Sequence, residues 1–236
     1  MLDLFSLGPR GWGDELLSGT VVTIAVSVLG FILGCALGLA TAVASLSRRL
    51  APRWVADVYT TIVRGVPSLL VIYLFFFGSS GAIMFFARMF GYTGFLSLDA
   101  FSVGVLALAV LTGAYSAEVF RGALQAVPRG QMEAGRAVGL SDGQVFRHVR
   151  LPQALRLALP GLGNVWQLVL KDSALVSVTA LAELMRMTSV AARSTGQPFT
   201  FYVAAGILYL LLTTVSTLLF VRAERRVGRH LAGVRS

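Results

Sequence analysis

One lysine, Lys171, and one cysteine, Cys35, are all that this sequence holds of either residue. A single cysteine excludes a disulfide within the chain. Cys35 lies inside the first apolar run and reads as small core filler. A single lysine excludes a P-loop, which needs Gly-x-x-x-x-Gly-Lys-Ser/Thr with the lysine on the phosphates. Lys171 instead follows Val169-Leu170 in an apolar stretch. The two histidines, His148 and His230, lie apart in basic segments, where solvent is their expected environment. No cluster of metal ligands and no Ser-His-Asp set can be drawn from them. Charge is scarce as well: Asp, Glu, Lys and Arg make up 13% of the residues, where a soluble domain carries about 25%.

What the chain has in excess is apolar surface. Hydrophobic residues account for 56% of 236 positions, a length that suits one domain. So much apolar surface is expected to be hidden in a lipid bilayer. The N-terminal region carries Asp3, Arg10, Asp14 and Glu15 before a long apolar run. That pattern differs from the positive start and short apolar core of a secretory signal.

A helix crosses the hydrocarbon core with about 20 apolar residues. Leu16 to Ser47 and Phe199 to Val221 contain no charge and give the cleanest spans. Three others are expected at about 55–78, broken by Arg64 and Pro67, at about 101–124, and at about 157–181, interrupted by Lys171 and Asp172. The expected fold is therefore all-α: one membrane domain, a polytopic helical bundle of five transmembrane helices over 16–47, 55–78, 101–124, 157–181 and 199–221. Gly30, Gly34 and Gly38, with Ala42 at the same spacing, form a stripe of small residues that lets helix backbones approach closely in lipid. Packing within the chain and a subunit interface both remain open for this stripe.

The net charge of +9 comes almost wholly from arginine. Because the arginines sit between apolar runs, a nucleic-acid partner is not expected; a bilayer is. Lys and Arg concentrate in cytoplasmic loops. Fifteen arginines fall in or beside the first connection, the third connection and the C-terminal tail, against four (Arg10, Arg88, Arg186 and Arg193) elsewhere. This puts the N-terminus outside and the C-terminus inside, and it requires an odd number of spans.

The third connection, 125–156, is too long for a structureless loop. Pro128 and Gly130 open it, Gln131 to Val138 favours helix, and Gly139 fits a C-terminal cap. Ser141-Asp142-Gly143-Gln144 has capping-box spacing. The second helix places Val145, Phe146 and Val149 on one face, and Pro152 is expected to end it. Such a pair of short helices is either a rigid knob that passes a push from a soluble partner or an amphipathic elbow on the lipid surface.

Here the sequence resembles a family. Glu133-Ala134-Gly135, then Gly139, Val149 and Leu151-Pro152, look like the EAA loop of bacterial ABC importer permeases: Glu-Ala-Ala, three residues, Gly, nine residues, Ile, one residue, Leu-Pro. Every spacing matches, with Gly135 in place of the second Ala and Val149 in place of Ile. Arg64-Gly65-Val66-Pro67, Glu118-x-x-Arg121-Gly122, Val127-Pro128-Arg129-Gly130-Gln131 and Leu170-Lys171-Asp172-Ser173-Ala174-Leu175 are similar to segments of the polar amino acid importers of histidine, arginine, glutamine and opine type. The resemblance implies a type I importer architecture in the bacterial inner membrane. It implies a second permease subunit, identical or not, two cytoplasmic ATPase subunits that bind ATP and Mg, and a periplasmic amino-acid-binding protein. It assigns Glu133, Ala134, Gly135, Arg136, Gly139, Leu151 and Pro152 to ATPase coupling, with no cofactor on this chain and no catalysis by it.

Charges within the membrane are costly, about 2.5–3.5 kcal/mol each on insertion scales, and mark pathways or helix contacts. Lys171 and Asp172 point about 100° apart on a helix and do not pair with each other. Asp172, Lys171, Ser173, Gln167, Asn164 and Glu183 are candidates for a substrate path, and Pro160, Gly161 and Gly163 for an unwound helix start. Glu118 and Arg121 are expected to neutralise each other. A secondary carrier or channel subunit is the alternative reading, but it has no need of the EAA spacing and often carries an internal repeat, which this sequence does not show.

Overall fold

A computed structural model describes residues 2–8, 11–92, 94, 98–179 and 181–232, with no strand among them. Arg10 and Arg235, counted above, lie outside these residues, as does the side chain of His230. After a 3-10 turn (Leu2–Phe5), the chain forms α1 (Gly13–Ser45), α2 (Leu50–Gly65), α3 (Ser68–Met89), α4 (Ala100–Ala126), α5 (Arg129–Ala137), α6 (Asp142–Gln144), a π-helical turn (Val145–Arg150), α7 (Leu151–Ser173), a second 3-10 turn (Ala174–Thr179), α8 (Leu184–Thr195) and α9 (Pro198–Ala232).

Among the described residues four helices are long and apolar enough to cross a membrane: Gly13–Ser45, Ser68–Met89, Ala100–Ala126 and Pro198–Arg226. Two of the five expected spans look different from their sequence outline. The stretch 55–78 is two helices, because Val66 and Pro67 are extended (ψ 139° and 133°). Pro67 disfavours α geometry at the residue before it and has no N–H to continue the ladder. α3 alone, about 33 Å long at 1.5 Å per residue, reaches across a bilayer, whereas the 16-residue α2 leaves Leu50, Trp54, Val55 and Ile62 exposed. The stretch 157–181 is the end of α7 plus the 3-10 turn. α7 carries Arg156, Lys171 and Asp172 and falls outside the apolar set. It packs instead against α4, α9 and α1.

The bundle is centred on α1 against α4. Gly30, Gly34 and Gly38 face Leu108, Thr112 and Ser116, so the glycine stripe serves packing within the chain. A β-carbon on Gly34 would lie 2.6 Å from Thr112 Cγ2, and one on Gly38 2.9 Å from the Ala117 backbone nitrogen. The central cluster joins Val26, Ile72, Leu108, Leu111, Val169 and Val176 from five elements. α9 is the opposite case: its apolar window is only 6% buried, with Ile207, Leu210, Leu211, Val215, Leu218 and Leu219 open.

Candidate functional site

The connection after α4 is a closed local design. Pro128 precedes α5, and Gly139 ends it with φ of +88°. In that left-handed position Gly139 N donates to Arg136 O at 2.9 Å and Leu140 N to Gly135 O at 3.1 Å, the two bonds of a Schellman cap. Ser141 then starts α6 with a complete capping box: its hydroxyl accepts from Gln144 N, and Gln144 Oε1 accepts from Ser141 N at 2.9 Å. Arg136 Nε donates to Asp142 Oδ1 at 2.8 Å across the turn. Gly135 is buried, and a β-carbon there would sit 3.2 Å from Val145 Cγ2 and 3.5 Å from Val149 Cγ2. The glycine in the place of the second alanine thus lets α5 lie close on the following helix. Glu133, Ala134 and Arg136 are exposed on α5.

Pro152 does not end the second helix, contrary to the local rule. α6, the π-helical turn and α7 run as one rod from Asp142 to Ser173. The wider turn immediately before Leu151-Pro152 displaces the i−4 carbonyl that a proline ring would strike. The rod is also moored to the bundle. Arg150 Nε and Nη2 both donate to Leu124 O at 3.1 Å, taking an otherwise unpartnered carbonyl at the end of α4. Phe146 packs on the cluster of Ala42, Phe120, Leu124 and Ala154. His148 is exposed, with Nδ1 3.1 Å from Gln144 O.

At the far end of the rod, α geometry gives way to 3-10 at Ala174. Of the six residues expected along a pathway, Lys171 and Asn164 are exposed, Asp172 and Gln167 half-buried, and Ser173 and Glu183 enclosed. α3 packs against the 3-10 turn that follows α7. Gln167 Nε2 donates to Thr217 Oγ1 at 3.2 Å, a contact between α7 and α9. Pro160, Gly161 and Gly163 do not unwind α7. The two glycines are packing positions, against Val119 and Phe220.

Glu183 corrects a second expectation. It was a candidate for the substrate path but is 0% exposed, enclosed within the protein. Its carboxylate caps α8, accepting from Met185 N at 2.9 Å and Arg186 N at 2.6 Å, and from Tyr209 OH at 3.1 Å. Thr23 Oγ1 lies 3.3 Å from it and accepts from Leu184 N at 3.1 Å. The Glu118–Arg121 pair forms as expected, but the sequence did not reveal its third member. Arg64 Nη1 stands 3.4 Å from Glu118 Oε1, and its guanidinium lies 5.9 Å from the Tyr115 ring centre. Two of the segments singled out by resemblance, around Arg64 and around Glu118, therefore meet in space.

Residues 30–229 match the family described as binding-protein-dependent transport system inner membrane component. The chain is 51% identical over 228 residues to the octopine transport system permease protein of Rhizobium radiobacter, covering 97% of this chain and 96% of that one. It is 38% identical over 216 residues to the histidine/lysine/arginine/ornithine transport system permease protein of Escherichia coli, covering 92% and 94%. A chain in the crystal structure of an amino acid ABC transporter with histidines superposes with a TM-score of 0.76 at 32% identity, covering 91% of this chain and 95% of that one.

Proposed function

We propose a working role from one premise: this chain belongs to the family of binding-protein-dependent transport system inner membrane components. It is the permease subunit of an ABC importer. The solute we assign is an opine or a basic amino acid, on the strength of what the octopine and histidine/lysine/arginine/ornithine systems carry. In this reading two permease chains pair, two ATPase subunits bind ATP and Mg, and a binding protein delivers solute from outside. The arginine distribution supports an N-terminus outside and a C-terminus inside.

The observation that carries the coupling role is the mooring of the connection. α5 is closed by its Schellman cap and lies close, through Gly135, on the π-helical turn, which itself continues as one rod into α7. An exposed Glu133 face on a stiff, moored element suits a groove on an ATPase. The rod's other end carries Lys171 and Asp172, where solute would meet charge. A half-buried carboxylate suits the cationic group of a basic amino acid or opine.

The test is reconstitution with partner permease, ATPases and binding protein, using labelled octopine, L-arginine, L-histidine and L-lysine. Uptake should require ATP and favour one of these solutes. The Glu133→Lys chain should insert normally yet lose ATPase co-purification and uptake. Wild-type coupling in that variant, or uptake that ignores ATP, would remove the coupling assignment.

A further inference from the structure

The corner where α1 gives way to α2 holds two clefts that share an edge. One, of about 440 Å³, is mainly apolar: Ala40, Val43 and Ala44 of α1 line it with Leu124 of α4 and Phe146 of the π-helical turn, and Arg150 borders it. The other, of about 290 Å³, is mainly polar, lined by Ser45, Arg53, Asp57, Arg121 and Gln125. Leu46 and Ser47, just past the end of α1, belong to both.

Positive charge is in excess here. Arg48, Arg49, Arg53, Arg121 and Arg150 gather at the corner, against the carboxylates of Asp57 and Glu118. Arg53 Nε lies 3.7 Å from Asp57 Oδ2, but both side chains are more than half exposed, so solvent weakens the pair. Arg121 pairs with Glu118, and Arg150 is bonded to Leu124 O. Arg48 and Arg49 are exposed and have no acidic partner among the described residues.

The order of the clefts along α1 selects an occupant. Ala40, Val43 and Ala44 belong to the uncharged run of α1, at hydrocarbon depth. The polar cleft begins where that run ends, at headgroup depth. Beside it Leu50 and Trp54 stand 82% and 67% exposed, an apolar and an aromatic residue of the kind that settles at the membrane interface. A soluble protein reaches the charge but not the apolar cleft, and a free phosphate leaves that cleft empty. An anion that carries a hydrocarbon chain fills both.

We propose that the α1–α2 corner binds one anionic phospholipid, its phosphate on Arg53 and Arg121 and an acyl chain between the end of α1 and Phe146. Through Phe146 and Arg150 the same lipid touches the root of the rod, and so braces the connection after α4 against α1.

The experiment is native mass spectrometry of the full chain in detergent, titrated with phosphatidylglycerol or with phosphatidylcholine of the same acyl chains. The wild type should bind one phosphatidylglycerol about tenfold more tightly than phosphatidylcholine, as two arginines near a lipid phosphate imply. Arg53→Gln/Arg121→Gln should lose most of that preference. Ser47→Glu, which sets a negative charge on the shared edge, should do the same. Arg193→Gln on α8, away from the corner, should keep it. Bound phosphatidylglycerol should also slow hydrogen exchange in 142–150 and leave α8 unchanged; binding without that protection overturns the bracing. Equal binding of the two lipids, a preference that survives in both corner variants, or an equal loss in Arg193→Gln overturns the site. Displacement of the lipid by inorganic phosphate at equal affinity would make it a phosphate site and overturn the lipid. Loss of the lipid on adding the ATPase subunits would give the face to protein and overturn it too. If Arg53→Gln/Arg121→Gln fails to fold, Ser47→Glu decides alone.

Discussion

The Ser116 hydroxyl of α4 reaches the Gly34 carbonyl oxygen of α1 at 3.2 Å, a side chain touching the neighbouring helix's backbone. That approach exists only because Gly34 presents no side chain: a β-carbon there would overlap Thr112. Small residues at a spacing of four are doing in lipid what ridges and grooves do in water.

Gly34→Leu should therefore be among the most damaging apolar substitutions in the protein. Overpacking of a close helix contact costs about 1–3 kcal/mol or more. Thermal unfolding of the purified chain in detergent should show a clear fall in midpoint, partly restored when Thr112→Ala is added. A midpoint equal to wild type would contradict the packing assigned to the stripe.

Gly139→Ala should destabilise α5 specifically. The native φ of +88° is open to glycine, and a left-handed conformation costs another L-residue about 1–2 kcal/mol. Hydrogen exchange should rise in 129–144 and stay unchanged in α1 and α4. Gly139→Asn should be milder than Gly139→Ala, because Asn tolerates this conformation better. Equal exchange in all three proteins would argue against the Schellman cap.

Replacing Glu118 should cost little. Its side chain is 30% exposed, and its partners Arg64 and Arg121 are 44% and 43% exposed. Solvent screens such groups, so Glu118→Gln should lose under about 1 kcal/mol. The loss should shrink as salt rises from low to physiological ionic strength. A large, salt-independent loss would place the carboxylate in a drier setting than the structure gives it.

Arg150→Leu should loosen the root of the connection. It leaves Leu124 O without its two donors and removes the link between the rod and the end of α4. A buried carbonyl left unpaired costs about 1–3 kcal/mol. Limited proteolysis should cut faster within 125–150, and Arg150→Lys, which cannot reproduce the fork, should rescue only in part. Cleavage at the wild-type rate would mean that the two bonds do not hold the connection.

Local chemistry was the legible part of the site. Gly139, Ser141 and Gln144 act on backbone within six residues of themselves, and their cap and capping box stand where the spacing placed them. Pro67 likewise announced a break, though not that α2 would become a separate short helix. Pro152 was misleading because the rule that proline ends a helix assumes α geometry before it, and a π-helical turn lifts that assumption. Pro160 and the glycines after it misled for a related reason: Val119 and Phe220, on other helices, fill the space they leave. Contacts across long sequence distances were beyond reach. Glu183 and Thr23 are 160 residues apart, so a charge that looked like part of a substrate path is a buried cap. Arg64 could not be seen joining Glu118 until two helices from different parts of the chain had packed.

The unbroken run from Asp142 to Ser173 has a mechanical corollary. At about 1.5 Å per residue it is a shaft on the order of 45 Å long. A tilt of roughly 5° about its root displaces the tip by about 4 Å, more than the length of a hydrogen bond. Ser68 rides on a different shaft, across the Pro67 break. Swinging the rod against α3 shifts Lys171 and Asp172 relative to Ser68 without unfolding a single turn.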